Sequence, residues 1–137
     1  MFEGQIEKKL DTGDYSIVGL EDIFVIERKG SIGEFYQNMV EKRFEAELAR
    51  LEEFRWPFVI LEFELRDIMM FPFSSGIPKR IWPKLRMKPQ FILKRLNDFQ
   101  LSYRTKFIFA GKFGRDMAIN LFDNIVIHAA KSDELKV

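Results

Sequence analysis

The chain has no cysteine and only one histidine, His128, in 137 residues. Disulfide frameworks, thiolate nucleophiles, iron–sulfur clusters and thiolate zinc sites are therefore excluded. A histidine-rich metal centre or a Ser-His-Asp arrangement has no material to be built from. No apolar run reaches the roughly 18 residues needed to span a membrane, and no secretory h-region opens the chain. The expectation is a cytoplasmic protein with no membrane partner. Repeats, low-complexity tracts and flexible linkers are also missing, so residues 1–137 are expected to form one domain, with its core at about 10–130 and a polar tail at 131–137. What remains for chemistry is carboxylate, lysine and arginine.

Charge of one sign is scarce in one segment. Residues 71–112 hold ten lysines and arginines against a single acid, Asp98, a net charge of +9, whereas the rest of the chain carries −8. The overall +1 therefore hides a polarised molecule, and a basic segment of this kind suits a polyanionic partner.

Hydrophobic periodicity predicts the elements. Residues 14–19 and 23–29 are alternating, β-branched runs separated by Leu20-Glu21-Asp22, which reads as a hairpin. Ile32, Phe35, Met39, Val40, Phe44, Leu48 and Leu51 recur at helical spacing and predict one long helix to about Phe54. The run 58–63 is apolar on both faces, as in a central strand. Pro72, Pro78, Pro83 and Gly76 make 71–87 a loop with short helical turns at most. Pro89 opens a helix to about Tyr103 with Phe91, Ile92, Leu96, Phe99 and Leu101 as its apolar set. A strand at 106–110 and a helix from about 115 to 130 complete the order β-β-α-β-α-β-α. That order predicts an α/β sandwich, a mixed central sheet flanked by helices.

Register in the hairpin brings the chemistry-bearing residues together. A turn centred between Leu20 and Glu21 places Asp14 opposite Glu27, and directly opposed side chains have Cβ atoms about 4.5 to 5.5 Å apart. Two carboxylates at that distance repel or share a cation. Lys29 lies two residues beyond Glu27 and so projects on the same face, while Arg28 points to the other. Asp14, Glu27 and Lys29 then form the set needed for metal-assisted phosphodiester hydrolysis. Mg²⁺ takes one or two carboxylates plus water and phosphate oxygens, and the lysine orients the attacking water or offsets growing negative charge.

Gly13-Asp14-Tyr15 and Val25-Ile26-Glu27-Arg28-Lys29 resemble the GDY and ERK motifs of XPF-type structure-specific nucleases, in the PD-(D/E)XK restriction-endonuclease-like superfamily. Residues 10–22 are most similar to small bacterial and phage members, and a looser likeness continues through Arg43-Phe44 and Glu47-Leu48 to Phe109-Ala110-Gly111. The resemblance implies a three-layer restriction-endonuclease-like sandwich. It also implies an Mg²⁺- or Mn²⁺-dependent DNA endonuclease acting on branched, flap or fork DNA in repair or recombination. A homodimer or heterodimer is a further expectation, because a dimerisation surface would use part of the phenylalanine excess, 15 of 137 residues. On this reading Asp14, Glu27 and Lys29 are catalytic, with Asp14 and Glu27 holding the metal. The family's aspartate four residues after the lysine is replaced here by Gly33, and Glu34 is the candidate substitute. The family's first strand, which bears Asp-x-Arg-Glu, is expected to be missing, since only thirteen residues precede Asp14.

Several of these residues also have plainer readings. Ser31-Ile32-Gly33-Glu34 is a capping box, which accounts for Glu34 without catalysis. Arg28 and Glu62, both accessory candidates, suit a structural ion pair and an acid at the edge of the core. Lys79, Arg80, Lys84, Arg86 and Lys88 offer phosphate contacts and Trp82 a stacking surface, or else the segment is a solvated loop with one anchoring aromatic. The whole chain also fits a non-catalytic DNA-binding or dimerisation relative, or an α/β interaction protein with no nucleic-acid partner.

Overall fold

The computed structural model describes residues 7–8, 16–17, 23–86 and 88–131. Its centre is a three-stranded parallel sheet in the order β3 (Phe24–Lys29), β4 (Trp56–Leu61), β5 (Lys106–Phe109). Glu27 lies opposite Val59 and Lys29 opposite Leu61, and Leu61 lies opposite Phe109. Parallel neighbours require crossover connections. The helices α1 (Ile32–Val40) and α2 (Arg43–Leu51) cross between β3 and β4, and α3 (Leu65–Met69) and α4 (Pro89–Ser102) between β4 and β5. The helix α5 (Gly114–Lys131) follows the last strand.

Alternation along the strands divides the core in two. Val25, Val59 and Leu61 pack with Ile32 and Phe35 of α1, Phe44 and Leu48 of α2, and Ile92 and Phe99 of α4. Phe24, Ile26, Phe58 and Ile60 pack on the other face with Ala118, Phe122, Ile125 and Ala129 of α5. Helices on both faces make the three-layer α/β sandwich that the sequence predicts. The central strand is buried on both sides from Pro57 to Leu61, in keeping with its uninterrupted apolar run.

Antiparallel pairing enters through β1 (Glu7–Lys8) and β2 (Ser16–Ile17), with Glu7 opposite Ile17 and Lys8 opposite Ser16. Among the described residues β2 therefore ladders with β1. It meets β3 through the Ser16 hydroxyl, which donates to the Phe24 carbonyl. The expected pairing of Asp14 with Glu27 lies outside the described residues. A two-residue strand without the Asp-x-Arg-Glu element thus precedes the GDY segment.

The long helix expected at 32–54 is two helices. Lys42 adopts a left-handed conformation, φ 57° and ψ −7°, and separates α1 from α2. The pattern explains the break. The five-residue step from Met39 to Phe44 would swing Phe44 roughly 140° off the buried face of one continuous helix. Val40 bridges that step when the sequence is read alone, yet it is 39% exposed; the break at Lys42 instead returns Phe44 to the core. The helix α4 has the expected bounds but a narrower buried face of Ile92, Leu96 and Phe99, because Phe91 and Leu101 are exposed. The short α3 was not expected. Its start is fixed by Asp67 Oδ2, which accepts the Glu64 backbone N–H at 2.8 Å, and Ile68 is its one buried residue.

Gly33 occupies the slot where the resemblance calls for an aspartate. A Cβ built there overlaps the Ser75 carbonyl oxygen, so the 71–77 loop packs directly against the first turn of α1 and leaves no room for a side chain. Gly33→Ala is expected to destabilise the protein by about 2 to 3 kcal/mol, the scale of overpacking against a backbone that must shift. Urea unfolding would measure it, and a loss under 0.5 kcal/mol, the range of ordinary surface substitutions, would show that the loop moves aside freely.

Candidate active site

Strand alternation sets Glu27 and Lys29 on the face of β3 that looks toward α1, α2 and α4, and Arg28 on the face toward α5. Lys29 is 4% exposed. Its ammonium lies 3.5 Å from Glu27 Oε2 and 3.4 Å from Glu47 Oε2, and 5.0 Å from the centroid of the Phe44 ring. A buried lysine keeps its charge only when paired. Here two carboxylates and an aromatic face surround it, and both carboxylate side chains retain some solvent contact, 14% for Glu27 and 23% for Glu47.

Glu47 was not singled out from the sequence. It stands three residues after Phe44 on α2, at the flank of that helix's buried stripe, within the stretch that carries the looser family likeness. That position was the available signal. Its approach to Lys29 depends on the break at Lys42, which periodicity did not reveal.

Arg28 donates to Glu62 Oε1 at 2.7 Å on the opposite face of the sheet. Glu62 in turn fills the space beside Gly114, where a Cβ would overlap its Oε2. The pair ties the ends of β3 and β4 to the start of α5, a structural role for both accessory candidates. Half of the expected capping box forms: the Glu34 N–H donates to Ser31 Oγ at 3.1 Å, but Glu34 Oε1 reaches one residue past the cap and accepts the Gly30 N–H at 2.6 Å in place of Ser31's. The Glu34 and Glu62 carboxylates flank Gly30, at 3.8 Å and 3.9 Å from its Cβ position. The structure thus brings Glu27, Lys29 and Glu47 together on one face, Arg28 and Glu62 on the other, and holds Glu34 at the helix start.

Asp14 lies outside the described residues. Among the described residues no group of three or more histidines, aspartates or glutamates is arranged to hold a metal ion. Glu27 contributes one hard oxygen donor of the kind Mg²⁺ or Mn²⁺ prefers, a donor chemistry that fits such an ion when a second carboxylate joins it.

The basic segment forms a 3₁₀ turn over Lys79–Lys84, with Lys79, Arg80, Lys84, Arg86 and Lys88 exposed. Trp82 anchors this turn: its indole N–H donates to the Ile77 carbonyl at 2.9 Å. The Arg86 backbone N–H donates to the Tyr36 hydroxyl at 3.2 Å and so fastens the segment to α1.

The parallel sheet and its two-sided helical cover are the fold of solved XPF structures. XPF from Aeropyrum pernix superposes with a TM-score of 0.60 at 20% identity, over 87% of this chain and 48% of that one. XPF from Aeropyrum pernix in complex with DNA gives 0.60 and 20%, over 88% of this chain and 52% of that one. The chain spans about half the length of these solved structures. No protein-family model and no curated protein matches the sequence.

Proposed function

We propose that the protein is a Mg²⁺- or Mn²⁺-dependent DNA endonuclease that hydrolyses phosphodiester bonds, with branched, flap or fork DNA as its substrate in repair or recombination. The observation that carries this reading is the Glu27–Lys29 pair on one face of β3, within an XPF-type fold. The similarity to a solved XPF that is in complex with DNA and the +9 segment support DNA as the partner.

In this reading Glu27 and Asp14 hold the divalent cation, which when bound supplies Lewis acidity to the scissile phosphate. Lys29 has three N–H donors, and its two carboxylate neighbours account for two of them. The third would turn to a phosphate oxygen or an attacking water on substrate binding, where the ammonium would offset charge that grows in the transition state. The buried setting raises the worth of that interaction above its value in water. Lys79, Arg80, Lys84, Arg86 and Lys88 hold the DNA backbone. Glu34 and Glu62 are accessory at most. The proposal includes a single nuclease-like domain over 1–137, a cytoplasmic location, and a homodimer or heterodimer. Exposed Phe109 and Phe113 beside the β5 edge favour that last element. Among the described residues no helix is long and apolar enough to cross a membrane.

Gly33 in the aspartate slot favours a second reading, a nuclease-like DNA-binding or dimerisation module with weak catalysis. One experiment separates the two. Incubation of a labelled fork duplex with the protein and Mg²⁺ or Mn²⁺ is expected to yield a defined cut that is lost in Asp14→Ala and in Glu27→Gln, each reduced by about 10² to 10³-fold. Salt-sensitive binding with no cut by folded protein in either metal leaves the second reading.

A further inference from the structure

Trp82, which the sequence marks as a stacking surface, is already engaged. Its N–H is bonded to Ile77, the Lys79 ammonium lies 5.9 Å from its ring centroid, and Phe73 meets it edge-on at 5.0 Å. Phe73 itself is 55% exposed. It precedes Ser74, whose φ is 63°, and Gly76, whose φ is 80°, a tight turn that holds the ring out from the core.

The turn that carries Trp82, against which Phe73 packs, is cationic. Lys79, Arg80 and Lys84 are exposed on the adjoining turn. Asp98, the one acid between residues 71 and 112, is committed to Lys94 at 2.8 Å. An exposed aromatic ring beside exposed cations fits single-stranded nucleic acid: the ring stacks on a base while the cations meet phosphates. A base within a duplex has both faces covered by its neighbours, so the ring can engage only an unpaired one. The loop is also fixed in place, because Ser75 closes on Gly33, four residues beyond Lys29.

We propose that Phe73, braced by Trp82 and flanked by Lys79, Arg80 and Lys84, stacks on an unpaired base of branched DNA beside the strand that presents Glu27 and Lys29. The proposal takes DNA as substrate from the nuclease reading and adds what distinguishes a branched site from plain duplex.

The test is binding without cutting. Anisotropy of a labelled duplex, and of the same duplex with two unpaired arms, is measured in EDTA for wild type, Phe73→Ala and Phe73→Trp. Phe73→Ala is expected to lower the fork-to-duplex affinity ratio by about tenfold, the scale of one lost base-aromatic stack, and Phe73→Trp to restore it. An unchanged ratio, or a fall that tryptophan does not reverse, overturns the proposal. So does a change in oligomeric state on sedimentation in place of a change in the ratio, since the ring would then be meeting protein. Cleavage with Mg²⁺, assayed separately, keeps the two readings apart. A selective Phe73 effect in a protein that never cuts sinks catalysis and leaves stacking, and an unchanged ratio in a protein that cuts sinks stacking alone.

Discussion

Lys29→Met is expected to lose both cleavage and stability. The methionine keeps the length and the contact with Phe44 but removes the cation between Glu27 and Glu47. Breaking a fully buried ion pair costs about 3 to 5 kcal/mol. Both carboxylates here keep some water contact, which brings the expected loss to about 2 to 3 kcal/mol once the screening of part-exposed charges is allowed for. Cleavage should fall by about 10² to 10³-fold through loss of a preorganised positive charge. A second substitution separates the two effects. Adding Glu47→Gln to Lys29→Met removes the repulsion between the facing carboxylates, so more than half of the lost stability should return while cleavage stays absent. Urea unfolding and single-turnover cleavage would measure the pair. Recovery of cleavage in the double variant would show that Lys29 only neutralises Glu47 and takes no part in the chemistry.

Phe44→Ala should have the largest effect on the fold. Phe44 is 1% exposed and makes edge-on contacts with Phe35 at 5.7 Å, Phe99 at 5.3 Å and Phe107 at 6.3 Å. It thereby joins α1, α2, α4 and β5 at one ring. Truncating a buried phenylalanine costs about 3 to 5 kcal/mol, and the loss of several aromatic partners points to the upper half of that range. Phe44→Leu, which retains most of the volume, should cost less than about 1.5 to 2 kcal/mol and leave a folded protein whose Lys29 has lost its aromatic floor. Chemical denaturation of the three proteins gives the comparison. A loss under 1 kcal/mol for the alanine variant would mean that the four elements are held together elsewhere.

Much of this architecture was legible because it rests on local period. Alternation in 23–29 put Glu27 and Lys29 on one face and Arg28 on the other, and their ion pairs to separate partners bear that out. The apolar run of β4, the proline at the start of α4 and the limits of α5 are likewise local signals. The break at Lys42 was hidden because Val40 fills the gap in the apolar count and contains no information about its own exposure. Glu47 was hidden for the same reason, since a contact between a strand and a helix that follows a bend has no period in sequence. The short α3 buries a single residue and leaves no pattern to find. Trp82 was noticed for its size, whereas exposure singles out Phe73. Nothing in a phenylalanine's position between a proline and a serine reveals that.

The contact between Gly33 and Ser75 acts as a ruler. A loop closed on a glycine by its own backbone cannot slide along α1 without opening that contact, and only two residues separate the end of β3 from the start of α1. If DNA binds as proposed, the 71–77 loop would offer it to Glu27 and Lys29 at a constant offset. The distance from a branch point to the cut would be written into one carbonyl resting where a side chain is absent.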